Sequence, residues 1–156
     1  MNKAFLGGLI CILVSSYSFA QTSIEVLMNM KVANNIGALF PFNEANDPNK
    51  QMGRPNQYTS KANWADKRID PHNFSDENAE EIERIDPVDF KGGTIEGFRN
   101  TADLNRRYNY IKNITLNMPT LNQYMYKKGL FLMRLDKDLT PTQAKEYEKQ
   151  FNLTVK

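Results

Sequence analysis

The sequence predicts an α+β fold in one small domain, and three stretches carry that prediction. Residues 23–40, "SIEVLMNMKVANNIGALF", repeat apolar side chains at helical spacing. Residues 131–135, "FLMRL", make an apolar run of strand length, and "TPTQAKEYEKQF" after it opens like a helix. Between them lies a long polar stretch poor in aliphatic side chains. The chain divides accordingly into a cleaved signal peptide (1–20), an amphipathic helix (21–40), an irregular arm with two stapled turns (41–93) and a compact α+β C-terminal region (94–156).

The signal peptide is read from "MNKAFLGGLICILVSSYSFAQ". Lys3 gives a positive start, and Ala4 to Val14 is apolar apart from Gly7 and Gly8. Ser18 and Ala20 place small residues before a cut at Gln21. The apolar run falls short of the roughly 20 residues that span a bilayer. Cleavage also removes Cys11, the only cysteine, so the mature chain is cysteine-free and has no disulfide to stabilise it. These features predict a bacterial periplasmic or secreted protein, with association to the outer membrane as an alternative, and no transmembrane helix after cleavage. With 20 basic and 18 acidic side chains the net charge is only +2. No global attraction to nucleic acid follows from it.

In residues 23–40, Ile24, Met28, Val32 and Ile36 share one helical face with Leu27 beside it, which favours a core helix. The next stretch, "PFNEANDPNKQMGRPNQYTSKANWAD", reads as a long loop or arm of the kind that orders on binding. It ends at Trp64, the single tryptophan, which is either a core plug or an exposed anchor for a partner.

Two seven-residue frames follow, "RIDPHNF" (Arg68 to Phe74) and "RIDPVDF" (Arg84 to Phe90), sharing Arg, Ile, Asp, Pro and Phe. Asp before Pro can cap a helix whose first residue is the proline. The Ile before the cap then packs on the Phe four residues into the helix, a hydrophobic staple. This accounts for every shared position except Arg68 and Arg84, which become candidate partner contacts. The acidic "SDENAEEIE" between the frames suits a short helix capped by Ser75.

In the C-terminal region, Asn100 or Thr101 caps a helix carrying Leu104, Tyr108 and Ile111, and "NITLNMP" is expected to turn extended. Thr120 to Lys128 is expected to be a second helix, stopped by Lys127-Lys128-Gly129. Phe131 to Leu135 reads as a strand, Thr140-Pro141-Thr142-Gln143 as a capping box, and Leu153 to Val155 as a returning strand. This strand-helix-strand pattern over Leu130 to Val155 resembles half of a ferredoxin-like module. It is similar to the propeptide and inhibitor domains of subtilisin-type proteases, and that resemblance implies a protease-inhibitor or chaperone-like role.

Chemistry-bearing motifs are sparse. The sole histidine, His72, lacks the companion ligands of a zinc site, and no Gly-x-Ser-x-Gly elbow or phosphate-binding glycine loop is present. The sequence therefore predicts no enzyme, no metal and no cofactor. "YNYIKN" and "YMYKKG" share Tyr-x-Tyr-x-Lys. This makes Tyr110, Lys112, Tyr126 and Lys128 candidate contacts to a glycan or single-stranded nucleic acid. On helices, one tyrosine of each pair faces the core and the other the rim. The leading expectation is a structural or assembly subunit of a bacterial envelope machine for secretion, conjugation or surface appendages. It would sit among other envelope proteins in a homo- or hetero-oligomeric assembly.

Overall fold

A computed structural model describes residues 21–156; the expected signal peptide, with Lys3 and Cys11, lies outside them. In chain order the elements are α1 (Ser23–Asn29), β1 (Ile36–Phe42), β2 (Ser60–Asp66), α2 (Ala79–Ile82), β3 (Gly92–Gly97), α3 (Thr101–Asn117), β4 (Gln123–Lys128), β5 (Phe131–Asp136) and α4 (Pro141–Thr154). The strands form one sheet in the order β1-β2-β3-β5-β4, with every neighbouring pair antiparallel. The α+β class is thus as the sequence predicts.

Side chains alternate between the sheet's two faces. Ala62, Trp64, Ile95, Phe131, Met133 and Leu135 pack on one face under Val26 and Leu27 of α1 and Ala144, Tyr147 and Phe151 of α4. Leu132 on the other face joins Leu104 and Ile111 of α3, with Met52, Tyr58 and Phe98. Lys61, Asn63, Thr94, Glu96 and Arg134 share this second face by the same alternation. One face is thus an apolar core, and the other is polar and covered only in part.

Caps set the helix starts. Thr22 accepts from the Glu25 amide, and the Glu25 carboxylate accepts from the Thr22 amide. Asn100 caps α3 by accepting from the Asp103 amide. Thr140 and Gln143 form the expected reciprocal box of α4, with Pro141 first in the helix.

Five expectations are corrected. The helix expected over 21–40 ends at Asn29, and Ile36–Phe42 is an edge strand paired with β2. The arm expected over 41–93 holds all of β2 and begins β3. In place of the helix expected over 120–128, a short 3-10 turn (Pro119–Leu121) leads into β4. Gly129, with φ +52°, turns the chain in two residues so that Lys128 pairs with Phe131. The stretch 113–117 stays helical, closing α3 at Asn117. The strand expected at Leu153–Val155 does not form. Here α4 runs to Thr154, and Val155 caps it inside the core. The unit is a strand and a helix only, so the ferredoxin-like half-module and the inhibitor role drawn from it lose their last strand.

The repeated frames are turns of another kind. Asp70 accepts from the amide of His72 at 3.0 Å, and Asp86 from the amide of Val88 at 3.0 Å. In both copies the aspartate thus closes a local turn across its proline, and no helix begins at Pro71 or Pro87. Ile69 packs on the main core. Phe74 lies over Gly37, where any Cβ would run into its ring, and meets Phe90 edge to face. The second Asp70 oxygen accepts from the Lys91 amide at 2.7 Å. The two copies therefore hold each other, and helical staples are not needed.

Candidate functional site

Glu96 organises the polar face. It lies next to the end of β3, opposite Lys61 and Leu132, and is fully buried. Arg107 of α3 donates to both its oxygens, from Nε at 3.1 Å and Nη2 at 2.8 Å. Arg134 of β5 donates from Nη2 at 3.1 Å. Burial opposes ionisation of Glu96, but Arg134 and Arg107 outweigh it and hold the carboxyl below its ordinary value. Burial likewise opposes the Arg107 charge, and Glu96 outweighs it.

A second hub lies beside the first. Asp47 accepts from the Tyr58 hydroxyl at 2.6 Å, from the amides of Gln51 and Met52, and from Lys61 Nζ at 3.2 Å. Burial works against its ionisation, yet these donors hold it below the usual carboxylate range. Burial pulls the Lys61 ammonium down, only partly offset by Asp47. This hub folds the polar 43–59 stretch onto the sheet, so the expected binding arm is already ordered by buried bonds. Tyr58 also lies under the Arg107 guanidinium, with 5.6 Å from ring centroid to Cζ, which joins the two hubs.

An open groove of about 470 Å³ is lined by Arg107 and Arg134, the two arginines that hold Glu96. Arg107, Tyr110, Ile111, Ile114 and Thr115 line it from one side of α3, at helical spacing. The sheet supplies Asn63, Thr94, Gln123 and Arg134, and the second frame supplies Val88 and Phe90. Leu121, from the turn before β4, completes an apolar rim. Val88 is 44% exposed and Leu121 50%. A second cavity of about 420 Å³ lies across Arg107 and Tyr110, ringed by Asn49, Gln51, Asn56, Gln57 and Arg106. Tyr110, 58% exposed, stands between the two.

The candidate contacts read from sequence do not form one site. Trp64 is completely buried and donates from Nε1 to the Tyr147 hydroxyl at 3.1 Å. It is a core residue rather than an exposed anchor. Tyr147 in turn donates to Asp66 at 2.8 Å, and Arg68 clasps Asp66 and Glu146. Arg68 therefore ties β2 to α4 and has no free fork for a partner. Arg84 is exposed, with the Glu80 carboxylate 4.0 Å away.

The two Tyr-x-Tyr-x-Lys copies fall on different elements. Tyr110 and Lys112 lie on α3, both exposed. Tyr124 and Tyr126 lie on β4, where residues two apart share a face, and both pack on the main core. Lys128 is exposed at the hairpin corner. Lys127 crosses back to α3, with Nζ 4.3 Å from the Tyr108 ring centre and bonded to Asn105. Of the set, only Tyr110 borders the groove. His72 lies elsewhere, with Nδ1 2.7 Å from Asp70 Oδ1.

Glu96 and Arg134 escape sequence reasoning. Glu96 sits in "GGTIEG", which resembles a loop, and Arg134 interrupts an apolar strand. The available signal is alternation: Ile95 and Met133 face the apolar core, so their neighbours Glu96 and Arg134 must face the opposite side together.

Fold and site define a small α+β domain with an open, arginine-floored groove on its polar face. No protein family, curated protein or solved structure matches the chain.

Proposed function

We propose that the chain is an exported, non-catalytic subunit of a bacterial cell-envelope assembly that binds a protein neighbour through the α3 groove. One observation carries this reading: exposed aliphatic side chains, Val88 and Leu121, border a groove floored by two fixed arginines. Apolar rims beside polar floors are what interaction surfaces present. Leu116 and Met118, at the same end of α3, are exposed as well. The "MNKAFLGGLICILVSSYSFAQ" start supports export. A photo-reactive residue at position 88 or 121, in cells making the full chain, tests the reading. Adducts to a protein partner from these positions, and not from Met28 or Leu153, are expected. Equal labelling from all four, or none from the rim, would overturn it.

A second reading, glycan binding, draws on the neighbouring cavity, where four amide side chains surround the exposed Tyr110. Amides pair with hydroxyl groups and an aromatic ring stacks on sugar faces. Saturable binding of a soluble polysaccharide, lost in Tyr110→Ala, would favour it.

A further inference from the structure

We infer that the groove holds an acidic side chain of the partner, an aspartate or glutamate carried between apolar residues of a peptide segment. This deepens the partner-binding reading and rests on it.

Charge count comes first. On the polar face Lys61 is matched by Asp47, but Arg107 and Arg134 share the single carboxylate of Glu96. The groove lining adds Lys137 and Asp136; Lys137 pairs with Asp138, which also takes Lys91, so with Asp136 this corner sets two cations against two carboxylates. One positive charge at the floor is left without a partner. Two guanidiniums sharing one carboxylate are complete when a second carboxylate arrives, because each planar fork is shaped for one.

Hydrogen bonding gives the same answer. Arg134 holds Glu96 through Nη2 and reaches Gln123 through Nη1 at a long 3.3 Å. Its Nε is shielded from water and, among the described residues, has no acceptor. Buried donors in folded proteins are nearly always paired. An anion in the groove would draw the guanidinium toward itself and replace the weak Gln123 contact.

The rim selects the carrier. A free inorganic anion makes no use of Val88, Phe90, Ile111, Ile114 and Leu121, which line the same groove. A carboxylate flanked by leucine-like residues uses both the floor and the walls.

The test uses the exported protein and two end-blocked peptides, Ser-Gly-Leu-Glu-Leu-Gly-Ser and its glutamine counterpart. Binding is followed through the Nε–H NMR signals of Arg107 and Arg134. Saturable shifts are expected at both arginines, with the glutamate peptide at least about tenfold tighter, since a hydrogen bond to a charged acceptor is the stronger kind. Leu121→Ser should weaken both peptides alike. Equal affinity of the two peptides, or no binding of either, would overturn the inference. Inorganic phosphate binding more tightly than the glutamate peptide would also overturn it. Rim cross-links to a partner, persisting through such a failure, would leave the partner-binding reading standing.

Discussion

Phe74 and Phe90, the closing residues of the two Arg-Ile-Asp-Pro frames, meet edge to face with ring centroids 6.3 Å apart. The repeat is therefore self-complementary: each copy supplies one ring of a single contact. The Asp70 bond to the Lys91 amide fastens the same junction. Because Val88 and Phe90 also line the groove, this junction sets one of its walls. Phe74→Ala and Phe90→Ala should each destabilise the fold. Urea unfolding of the double-mutant cycle should give a coupling of about 0.5–1.5 kcal/mol, typical of aromatic pairs. A coupling of zero would mean the rings do not meet.

Trp64, Tyr147, Asp66 and Arg68 form a chain of bonds from β2 to α4. Tyr147→Phe removes the acceptor of the indole N–H and a donor to Asp66. A loss of about 1–3 kcal/mol is expected, the usual cost of leaving buried partners unpaired. Trp64 fluorescence provides the readout, and its emission should be that of a buried indole.

Gly93 faces the Trp64 ring across the β2–β3 ladder, and a Cβ there would run into the indole and the Arg134 carbonyl. Gly93→Ala should cost about 1–3 kcal/mol through overpacking. Thermal unfolding of the variant measures this directly. An unchanged midpoint would mean that the ring lies elsewhere.

Stability should fall on both sides of neutrality. Burial opposes ionisation of Glu96, Asp66 and Asp47, but their donors outweigh it, and each folded carboxyl ionises at lower pH than the unfolded one. The stabilisation is complete above the unfolded values of about 4 and is lost as pH drops through the folded ones. On the alkaline side, burial and the neighbouring Asp47 and Asp66 push the phenols of Tyr58 and Tyr147 up. Unfolded tyrosine ionises at about 10, so stability declines as pH rises beyond that. Urea midpoints measured from pH 3 to pH 11 should trace a plateau with two falling edges. A flat acid edge would contradict the buried carboxylate pairs.

Where local chemistry decided the structure, the sequence showed it. The Thr140 box, the Asn100 cap and the apolar run of β5 all form, and each depends on residues a few positions apart. Misreadings arose where distant pairing decided. The β2 stretch "SKANWAD" has little apolar content, yet it is a central strand. Its Lys61 and Asn63 are buried against Asp47, Thr94 and Pro87, which lie far away in sequence. In β3, "GGTIEG" carries no strand pattern, since glycines that make room for Trp64 and Phe131 stand where apolar side chains would mark a strand. Over 120–128, Leu121, Tyr124 and Met125 match a helical stripe, and the hairpin turn at Gly129 overrides it. Only one groove residue among the candidate contacts, Tyr110, was legible. Glu96 and Arg134 owe their position to the register of β3 with β5, which no local pattern states.

The most direct measurement on the groove is a carbon-detected NMR titration of the Glu96 side-chain carboxyl. A carboxylate held by Arg107 and Arg134 should stay ionised well below the ordinary glutamate value of about 4.3, and Glu96→Gln should cost about 3–5 kcal/mol by stranding two arginines. A Glu96 that titrates at or above the ordinary value would show that the two arginines are not gathered there, and the groove would have no fixed floor.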